Sequence, residues 1–185
     1  WVPSLVKHAQ EKGVECLLWQ TAKLSDSDAF SNGNMEKTLK QWADWGIKGI
    51  KIDFWEDDSH ETMIRMENLL KLCGKYKMMV NYHGCTRPSG LRRTYPYLMT
   101  QEGICGGETN FWWPSNITGA HHLDIIFTRN VVGAADYTPG DFASFYGSIL
   151  TGQSMGHHMA LLTAFESGIT HIAECPENLR HFLGK

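Results

Sequence analysis

The stretch GIKGIKIDF, residues 46–54, decides the fold of this chain. A short β-branched run follows a helix-like segment and ends in a carboxylate, Asp53. Ile47, Ile50 and Ile52 are typical of a strand that is buried on both faces, as in a parallel sheet. Catalytic residues of barrels built from alternating strands and helices lie at the carboxyl ends of strands, where Asp53 stands. The alternative is that Asp53 only caps the next helix, and this stretch by itself favours capping.

Composition excludes several classes of protein. The chain has 185 residues, of which 42% are apolar and 20% charged, which fits one folded unit with a core. A net charge of -3 without a basic patch argues against nucleic acid, and no window approaches the roughly 18 apolar residues of a membrane helix. We therefore expect a small or neutral ligand. The chain begins at Trp1 without an initiator Met, and we interpret it as a piece of a longer protein.

The five cysteines are scattered and show no CxxC spacing. This pattern argues against a disulfide scaffold and against a structural zinc site. We therefore expect most of them to be buried thiols.

Helical and strand patterns alternate about six times along the chain. Helices are predicted over 3–12, 35–45, 60–76, 153–165 and 179–183, strands over 14–19, 46–54, 78–82, 98–104, 131–135 and 169–173, and an irregular loop over 87–97. The connections are too long for hairpins, so the pattern predicts a parallel α/β architecture. Six units are too few for a closed eight-stranded barrel, which leaves an open doubly wound sheet or most of a barrel. No glycine-rich phosphate fingerprint follows a strand, which argues against a nucleotide-binding fold.

Polar side chains cluster at the predicted strand ends. Asp53, His83, Glu102, Glu108 and Asp136 all lie at or just beyond such ends, so a parallel sheet would bring them to one edge. Two facing carboxylates can divide the work of cleaving a glycosidic bond, one as a protonated acid and the other as an ionised nucleophile or base. Asp53 and Glu108 are the natural pair.

A third carboxylate, Glu102, would add repulsion unless a cation were bound, and oxygen ligands suit Ca²⁺ better than zinc. The alternative for Glu102 is a salt bridge to Arg92 or Arg93. The pairs His121–His122 and His157–His158 lack the HExxH spacing of zinc hydrolases, so we do not interpret them as a zinc site.

His83 and the tryptophans are the remaining candidates. His83 either orients a ligand or is a core histidine whose hydrogen bonds are satisfied, and its strand-end position favours the former. Trp19 ends a predicted strand and is a candidate for stacking on the C–H face of a sugar. Trp42 and Trp45 lie on an amphipathic helix and are assigned to core packing.

In the stretches that contain these residues, the sequence resembles glycoside hydrolase family 97, the bacterial α-glucosidase and α-galactosidase family. The matching stretches, in order, are GIKGIKIDFW, KYKMMVNYHG, RRTYPYLMTQEGICGGE and FTRNVVGAADYTPG. The resemblance implies a catalytic (β/α)8 barrel between an N-terminal β-sandwich and a C-terminal β-domain. Residues 1–185 would then be a single partial barrel holding about the third to the eighth strands, from a periplasmic or secreted protein.

The resemblance also implies a stereochemical outcome. In the inverting members a general-base glutamate directly follows the histidine that matches His83, and this sequence has Gly84 there. In the retaining members a nucleophilic aspartate ends the strand that matches KIDF, and Asp53 stands at that position. Glu108 matches the general acid/base. The resemblance therefore implies a retaining mechanism, with Asp53 as the nucleophile.

Glu102 matches a calcium ligand of the family, with Glu108 also near the ion, and a further ligand would come from the N-terminal domain. His83, Trp19 and Asp136 are the candidate substrate-binding residues. The expected activity is exo-acting hydrolysis of α-galactosides or related oligosaccharides with retention. An inverting α-glucosidase of the same family, a carbohydrate-binding barrel without catalysis, and a hydrolase with a His/Asp metal centre are the alternatives.

Overall fold

A computed structural model describes residues 1–23, 29–30, 33–55, 57–112, 117–140, 153–177 and 180, with the backbone alone at 111–112. The chain forms two compact units, residues 1–103 and 104–185. Within the described ranges, no helix is long and apolar enough to cross a membrane.

The first unit alternates helices and strands, as the sequence patterns predict. The helices are α1 (Val2–Glu11), α2 (Met35–Asp44), α3 (His60–Lys75) and α4 (Leu91–Thr94), and the strands are β1 (Leu17–Thr21), β2 (Gly49–Asp53), β3 (Met79–Tyr82) and β4 (Leu98–Gln101). The first strand begins and ends later than predicted, so Trp19 lies in its middle rather than at its end. The loop predicted over 87–97 contains the short helix α4.

The four strands form one sheet in the order β1-β2-β3-β4, and every neighbouring pair is parallel. Thr21 pairs with Asp53, Ile52 with Tyr82, and Tyr82 with Gln101. Because the register brings the carboxyl ends level, residues that follow β2, β3 and β4 meet at one edge of the sheet.

The central strand β2 is buried as predicted. Ile47, Ile50 and Ile52 are all buried, and burial of each isoleucine side chain stabilises the fold by about 1.5–3 kcal/mol. At Gly49 a Cβ atom would lie 2.8 Å from the carbonyl oxygen of Met79, so a side chain there would separate β2 from β3.

Helices α2 and α3 contribute the apolar layer that packs against this sheet. The buried face of α3 includes Met66, Leu69 and Leu70. Trp42 is buried and Trp45 packs against the same core, which confirms the assignment of these two residues to core packing.

The second unit has a smaller core of buried apolar residues, formed by Ile125, Tyr137, Leu161 and Phe165. Its described elements are α5 (Thr109–Trp112), α6 (Gly119–Phe127), a 3-10 helix (Arg129–Val132) and α7 (Met155–Ala164). Helix α7 confirms the helical pattern predicted over 153–165, and α5 and α6 lie in a segment that the sequence patterns leave unassigned.

The strand predicted over Val131–Ala135 is wrong, because a 3-10 helix ends at Val132. Val131 is 74% and Val132 is 56% exposed, so within the described part of the chain these two β-branched side chains have no apolar surface that would hold them in a sheet. The buried Arg129 guanidinium donates hydrogen bonds to the carbonyl oxygens of Gly133 and Ala134, which occupies acceptors that a sheet would use.

Three further predictions have mixed outcomes. The strand predicted over 169–173 is reduced to a single parallel bridge between Gly140 and Ala173. The helix predicted over 179–183 lies outside the described residues except for Arg180. All five cysteines are free, but Cys73 alone is buried and Cys105 is exposed, so the prediction of mostly buried thiols is wrong.

Candidate active site

Asp53 is the last residue of β2 and is 8% exposed. Its carboxylate accepts two hydrogen bonds on different oxygens. The indole Nε1 of Trp19 donates to Oδ2 at 3.1 Å, and the backbone N–H of Phe54 donates to Oδ1 at 2.7 Å. The backbone carbonyl of Asp53 accepts from the N–H of Ala22 at 2.6 Å, which extends the β1–β2 pairing to this point. The side chain is therefore held in one orientation at the sheet edge.

His83 lies between two carboxylates. It directly follows β3 and is 3% exposed, with Nδ1 3.5 Å from Asp53 Oδ2 and Nε2 3.4 Å from Glu102 Oε1. Glu102 directly follows β4, and its Oε2 accepts a hydrogen bond from the N–H of Gly84 at 2.6 Å. The three side chains predicted at consecutive strand ends are thus brought together.

The protonation states follow from these contacts. Burial raises the pKa of Asp53, but hydrogen bonds from His83 and Trp19, the charge on His83 and the Phe54 N–H outweigh burial, so this pKa lies below its usual value. Burial lowers the pKa of His83, but its hydrogen bond with Asp53 and the charge of Glu102 outweigh burial and raise it. The arrangement favours an ionised Asp53 beside a protonated His83.

Gly84 approaches Asp53 so closely that no side chain fits there. A Cβ atom at position 84 would lie 2.6 Å from Asp53 Oδ1 and 2.8 Å from the backbone nitrogen of Phe54. The φ angle of Gly84 is +50°, in the left-handed region that side chains disfavour. With Asp53 in place, position 84 requires glycine.

A cleft of about 300 Å³ lies beside Gly84, next to the carboxyl ends of β2 and β3. Its lining residues are Trp55, Asp57, Asp58, Gly84, Cys85 and Thr86. The indole Nε1 of Trp55 is buried and has no hydrogen-bond partner among the residues that the structure describes, while its ring packs edge-to-face on Tyr82. Trp55 therefore belongs to the core of the first unit rather than to an exposed stacking surface.

Two other predicted site residues, Glu108 and Asp136, belong to the second unit. Glu108 follows Gly106 and Gly107, and a Cβ atom at Gly106 would lie 2.8 Å from the carbonyl oxygen of Tyr137. Asp136 is buried, with Oδ1 3.2 Å from His171 Nδ1. The glycine pair thus packs against the backbone next to Asp136. The catalytic and binding roles of both carboxylates stay predictions.

The histidine pairs predicted not to bind zinc make direct contacts with each other. His122 Nδ1 lies 2.7 Å from His157 Nε2, and His122 Nε2 lies 2.5 Å from the hydroxyl of Tyr137. Both ring nitrogens of His122 are therefore engaged in hydrogen bonds.

Sequence reasoning missed Phe54. This residue has φ +59° and is 50% exposed, although it follows a buried strand. Its ring contacts the ring of Trp19 edge-to-face, with the centroids 5.9 Å apart. A left-handed phenylalanine has no signature in composition or periodicity, so no sequence signal could have revealed it.

Comparison with known proteins identifies the family of this chain. The model of the family described as Glycoside hydrolase 97 matches residues 1–104. The chain belongs to glycoside hydrolase family 97. Family 97 membership agrees with the resemblance found in the four sequence stretches.

Two curated relatives align with nearly the whole chain. A protein of Streptomyces bingchenggensis named probable retaining alpha-galactosidase is 35% identical over 179 residues, which cover 96% of this chain and 26% of the relative. A retaining alpha-galactosidase of Bacteroides thetaiotaomicron is 32% identical over 183 residues, which cover 94% of this chain and 27% of the relative. The chain spans about a quarter of the length of these relatives.

Solved structures show the same fold. A family 97 enzyme from Pseudoalteromonas sp. strain K8, solved in complex with panose and with acarbose, matches 98% of this chain and 30% of its own, with TM-score 0.86 and 24% identity. A beta-arabinopyranosidase matches 96% of this chain and 31% of its own, with TM-score 0.81 and 24% identity. The predicted fold class, a parallel α/β fold that is part of a (β/α)8 barrel, is confirmed.

Proposed function

We propose that the full-length protein hydrolyses α-galactosides with retention of anomeric configuration. Support comes from the family, from two relatives named as retaining alpha-galactosidases, and from the surroundings of Asp53. The reaction would be a double displacement through a covalent glycosyl-enzyme.

Asp53 would be the nucleophile. A nucleophilic carboxylate must be ionised and held in position, and the lowered pKa and the two hydrogen bonds to its oxygens meet both needs. In the first step a carboxylate oxygen of Asp53 would attack the anomeric carbon while the bond to the leaving oxygen breaks.

The contact between Gly84 and Asp53 carries the proposal. An inverting family member would need a glutamate at position 84, and a Cβ atom there would lie 2.6 Å from Asp53 Oδ1. The geometry therefore favours the nucleophile over a base at the neighbouring strand end, and retention over inversion.

Glu108 would act as general acid and then as general base. It would protonate the leaving oxygen in the first step, and it would deprotonate the water that attacks the anomeric carbon in the second. Asp136, Trp19 and His83 would contact the substrate, with His83 also holding Asp53 in its ionised form through the 3.5 Å contact.

Calcium fits the carboxylate donors that the sequence offers, because Ca²⁺ prefers oxygen ligands. Glu102 and Glu108 would hold the ion, which when bound would offset the negative charge of the acidic residues and orient a sugar hydroxyl. His83 supplies a nitrogen that Ca²⁺ disfavours, and we assign it to Asp53 rather than to the metal.

The experiment that tests the proposal follows hydrolysis of an aryl α-galactoside by proton NMR, using the full-length protein. We expect the α-anomer of galactose to appear before mutarotation. Asp53→Asn should lower kcat roughly 10³-fold or more, because the nucleophile is lost. The matched control Asp44→Asn, an exposed carboxylate paired with Lys40, should leave kcat unchanged.

The other outcomes separate the alternatives. If the β-anomer appears first, the enzyme inverts and Asp53 is not its nucleophile. If neither α-galactosides nor α-glucosides are cleaved, the protein is a carbohydrate-binding barrel without catalysis.

A further inference from the structure

Glu108 lies between a pair of glycines and the start of helix α5, and the backbone directly before it is fixed. The N–H of Gly107 donates to the carbonyl oxygen of Tyr137 at 2.7 Å, and the carbonyl oxygen of Gly107 accepts from the N–H of Asn110 at 3.1 Å. Both hydrogen-bonding groups of Gly107 are therefore engaged. These two bonds set the direction in which the side chain of Glu108 leaves the backbone.

The glycine pair before Glu108 has no room for a side chain. A Cβ atom at Gly106 would lie 2.8 Å from the carbonyl oxygen of Tyr137, and a Cβ atom at Gly107 would lie 2.5 Å from the carbonyl oxygen of Thr138. Both contacts are with backbone atoms, which cannot move aside as the end of a flexible side chain would. The close approach of two backbone segments therefore requires glycine at both positions.

The segment that receives the glycine pair has an unusual backbone conformation. Thr138 has φ +56°, although β-branched residues avoid the left-handed region. Its side chain is buried, and its hydroxyl has no hydrogen-bond partner among the residues that the structure describes. Strained backbone persists where the surrounding structure enforces it and is typical of functional sites. Here the carbonyl oxygens of Tyr137 and Thr138 both face the glycine pair.

Contacts inside the second unit hold this segment in place. The ring of Tyr137 is buried, its centroid lies 4.7 Å from that of Phe165, and its hydroxyl lies 2.5 Å from His122 Nε2. Two residues earlier, the N–H of Ala135 donates to the carbonyl oxygen of Glu166 at 2.9 Å. The carbonyl oxygen that accepts from the glycine pair is thus part of a fixed framework.

We propose that Tyr137 is a positioning residue of the reaction, whose carbonyl oxygen orients Glu108 for proton transfer to the leaving oxygen. The inference rests on the proposed function, in which Glu108 is the general acid and base. A general acid must lie within hydrogen-bond reach of the oxygen that it protonates, and a displacement of about 1 Å costs roughly 100-fold in rate. Tyr137 would act through Gly107 and not on the substrate.

The leaving group shows whether the acid is in place. Melibiose is cleaved only as its leaving sugar oxygen gains a proton, whereas fluoride leaves α-galactosyl fluoride without one. In both reactions a carboxylate oxygen of Asp53 forms the new bond to the anomeric carbon, and kcat/KM reports this first step alone. A misplaced acid therefore lowers kcat/KM for melibiose selectively, while a distorted or unfolded site lowers it for both substrates.

Gly107→Ala in the full-length protein is the informative variant, because its methyl group would meet the carbonyl oxygen of Thr138. We expect kcat/KM to fall about 100-fold for melibiose and less than about threefold for α-galactosyl fluoride. Glu108→Gln is the reference and should show the same selectivity with a larger loss. Gly119→Ala is the matched control, since a Cβ atom there would lie 3.9 Å from the nearest described atom, in His157, and both values should be unchanged.

Tyr137→Phe replaces Gly107→Ala if the latter shows no cooperative melting transition. It creates no steric conflict and removes the hydroxyl that contacts His122, so the ring and its carbonyl are held less firmly. We expect kcat/KM for melibiose to fall about threefold to tenfold, with the value for α-galactosyl fluoride unchanged.

The inference and the proposed function fail in different ways. The inference alone is wrong if the unsubstituted protein and Glu108→Gln behave as expected, but the folded positioning variant loses nothing or loses equally on both substrates. The proposed function fails if the unsubstituted protein cleaves no α-galactoside. If it then cleaves the α-glucosyl analogues, the same ratio measured with them tests Tyr137. If it cleaves neither, or if Glu108→Gln loses equally on both substrates, there is no general acid at Glu108 and the inference fails as well.

Discussion

At the scale of single residues, the chemistry of Asp53 depends on its neighbours. An isolated carboxylate at a strand end has an ordinary pKa and several rotamers. Here Trp19 and the N–H of Phe54 hold its two oxygens, and His83 Nδ1 lies 3.5 Å from Oδ2. Gly84 has no side chain, and this leaves room for the Asp53 carboxylate in its observed position. Substitution of Gly84 should therefore affect Asp53 directly.

Gly84→Ala should lower kcat at least about tenfold and destabilise the protein by about 1–2 kcal/mol. The loss of stability follows from φ +50° at this position, and the loss of kcat follows because the new methyl group displaces Asp53 Oδ1. Urea unfolding and steady-state hydrolysis of an aryl α-galactoside measure the two effects.

Gly13→Ala is the control for this variant. Gly13 has φ +72°, and a Cβ atom there would meet no described atom within 4 Å. The variant Gly13→Ala should therefore lose a similar amount of stability, and its kcat should be unchanged. Equal kcat for both variants and the unsubstituted protein would contradict the steric account of Gly84.

At the scale of elements, the loop that follows the site is tied to the start of α3. Ser59 Oγ accepts a hydrogen bond from the N–H of Thr62 at 3.3 Å and caps the helix. Asp57 Oδ1 accepts from Thr62 Oγ1 at 2.6 Å and from the N–H of Ser59 at 3.0 Å. These contacts hold residues 57 and 59 against the first turn of the helix.

Ser59→Ala should lower the free energy of unfolding by about 1 kcal/mol, because the helix loses the acceptor at its N-terminus. Urea denaturation measures the change. Ser4→Ala is the comparison, since Ser4 donates to the carbonyl oxygen of Trp1 at an exposed helix start and does not cap a helix N–H. A stability change no larger than that of Ser4→Ala would show that Ser59 does not stabilise α3.

At the scale of the whole molecule, stability should depend on pH through His122. Burial and the charges of His157, His158 and His121 lower the pKa of His122 from its usual value to about 4. The hydroxyl of Tyr137 also contacts its ring. Because the folded state binds this proton less tightly than the unfolded state does, stability is full above the unfolded pKa near 6.5 and falls as the pH drops toward 4.

We expect the free energy of unfolding to fall by no more than about 3 kcal/mol between pH 7 and pH 4 on account of His122. His122→Phe should be less stable at pH 7, because two hydrogen bonds are lost, but its stability should change less over this pH range. Urea unfolding at several pH values measures both effects. The exposed His8→Gln control should keep the pH dependence of the unsubstituted protein, and an unaltered dependence in His122→Phe would contradict the assignment.

Local patterns in the sequence determined the part of the fold that holds the candidate site. Periodicities a few residues long predict the burial of β2, the amphipathic helices and the positions of the strand ends with their polar residues. Such periodicities show which face of an element meets the core. Asp53, His83 and Glu102 could be expected to converge, because parallel strands bring their carboxyl ends to one edge. The same reasoning failed for Val131–Ala135, where Val131 and Val132 are exposed in the part of the chain that the structure describes.

Only the tertiary structure decided how Asp53 is held. The left-handed conformation of Phe54, the indole of Trp19 on the carboxylate and the close approach of Gly84 each depend on atoms from different strands. Trp19 and Asp53 are 34 positions apart in the chain, so no local periodicity relates them. The sequence by itself thus determined which residues reach the sheet edge, and the packing of strands against one another decided what those residues contact there.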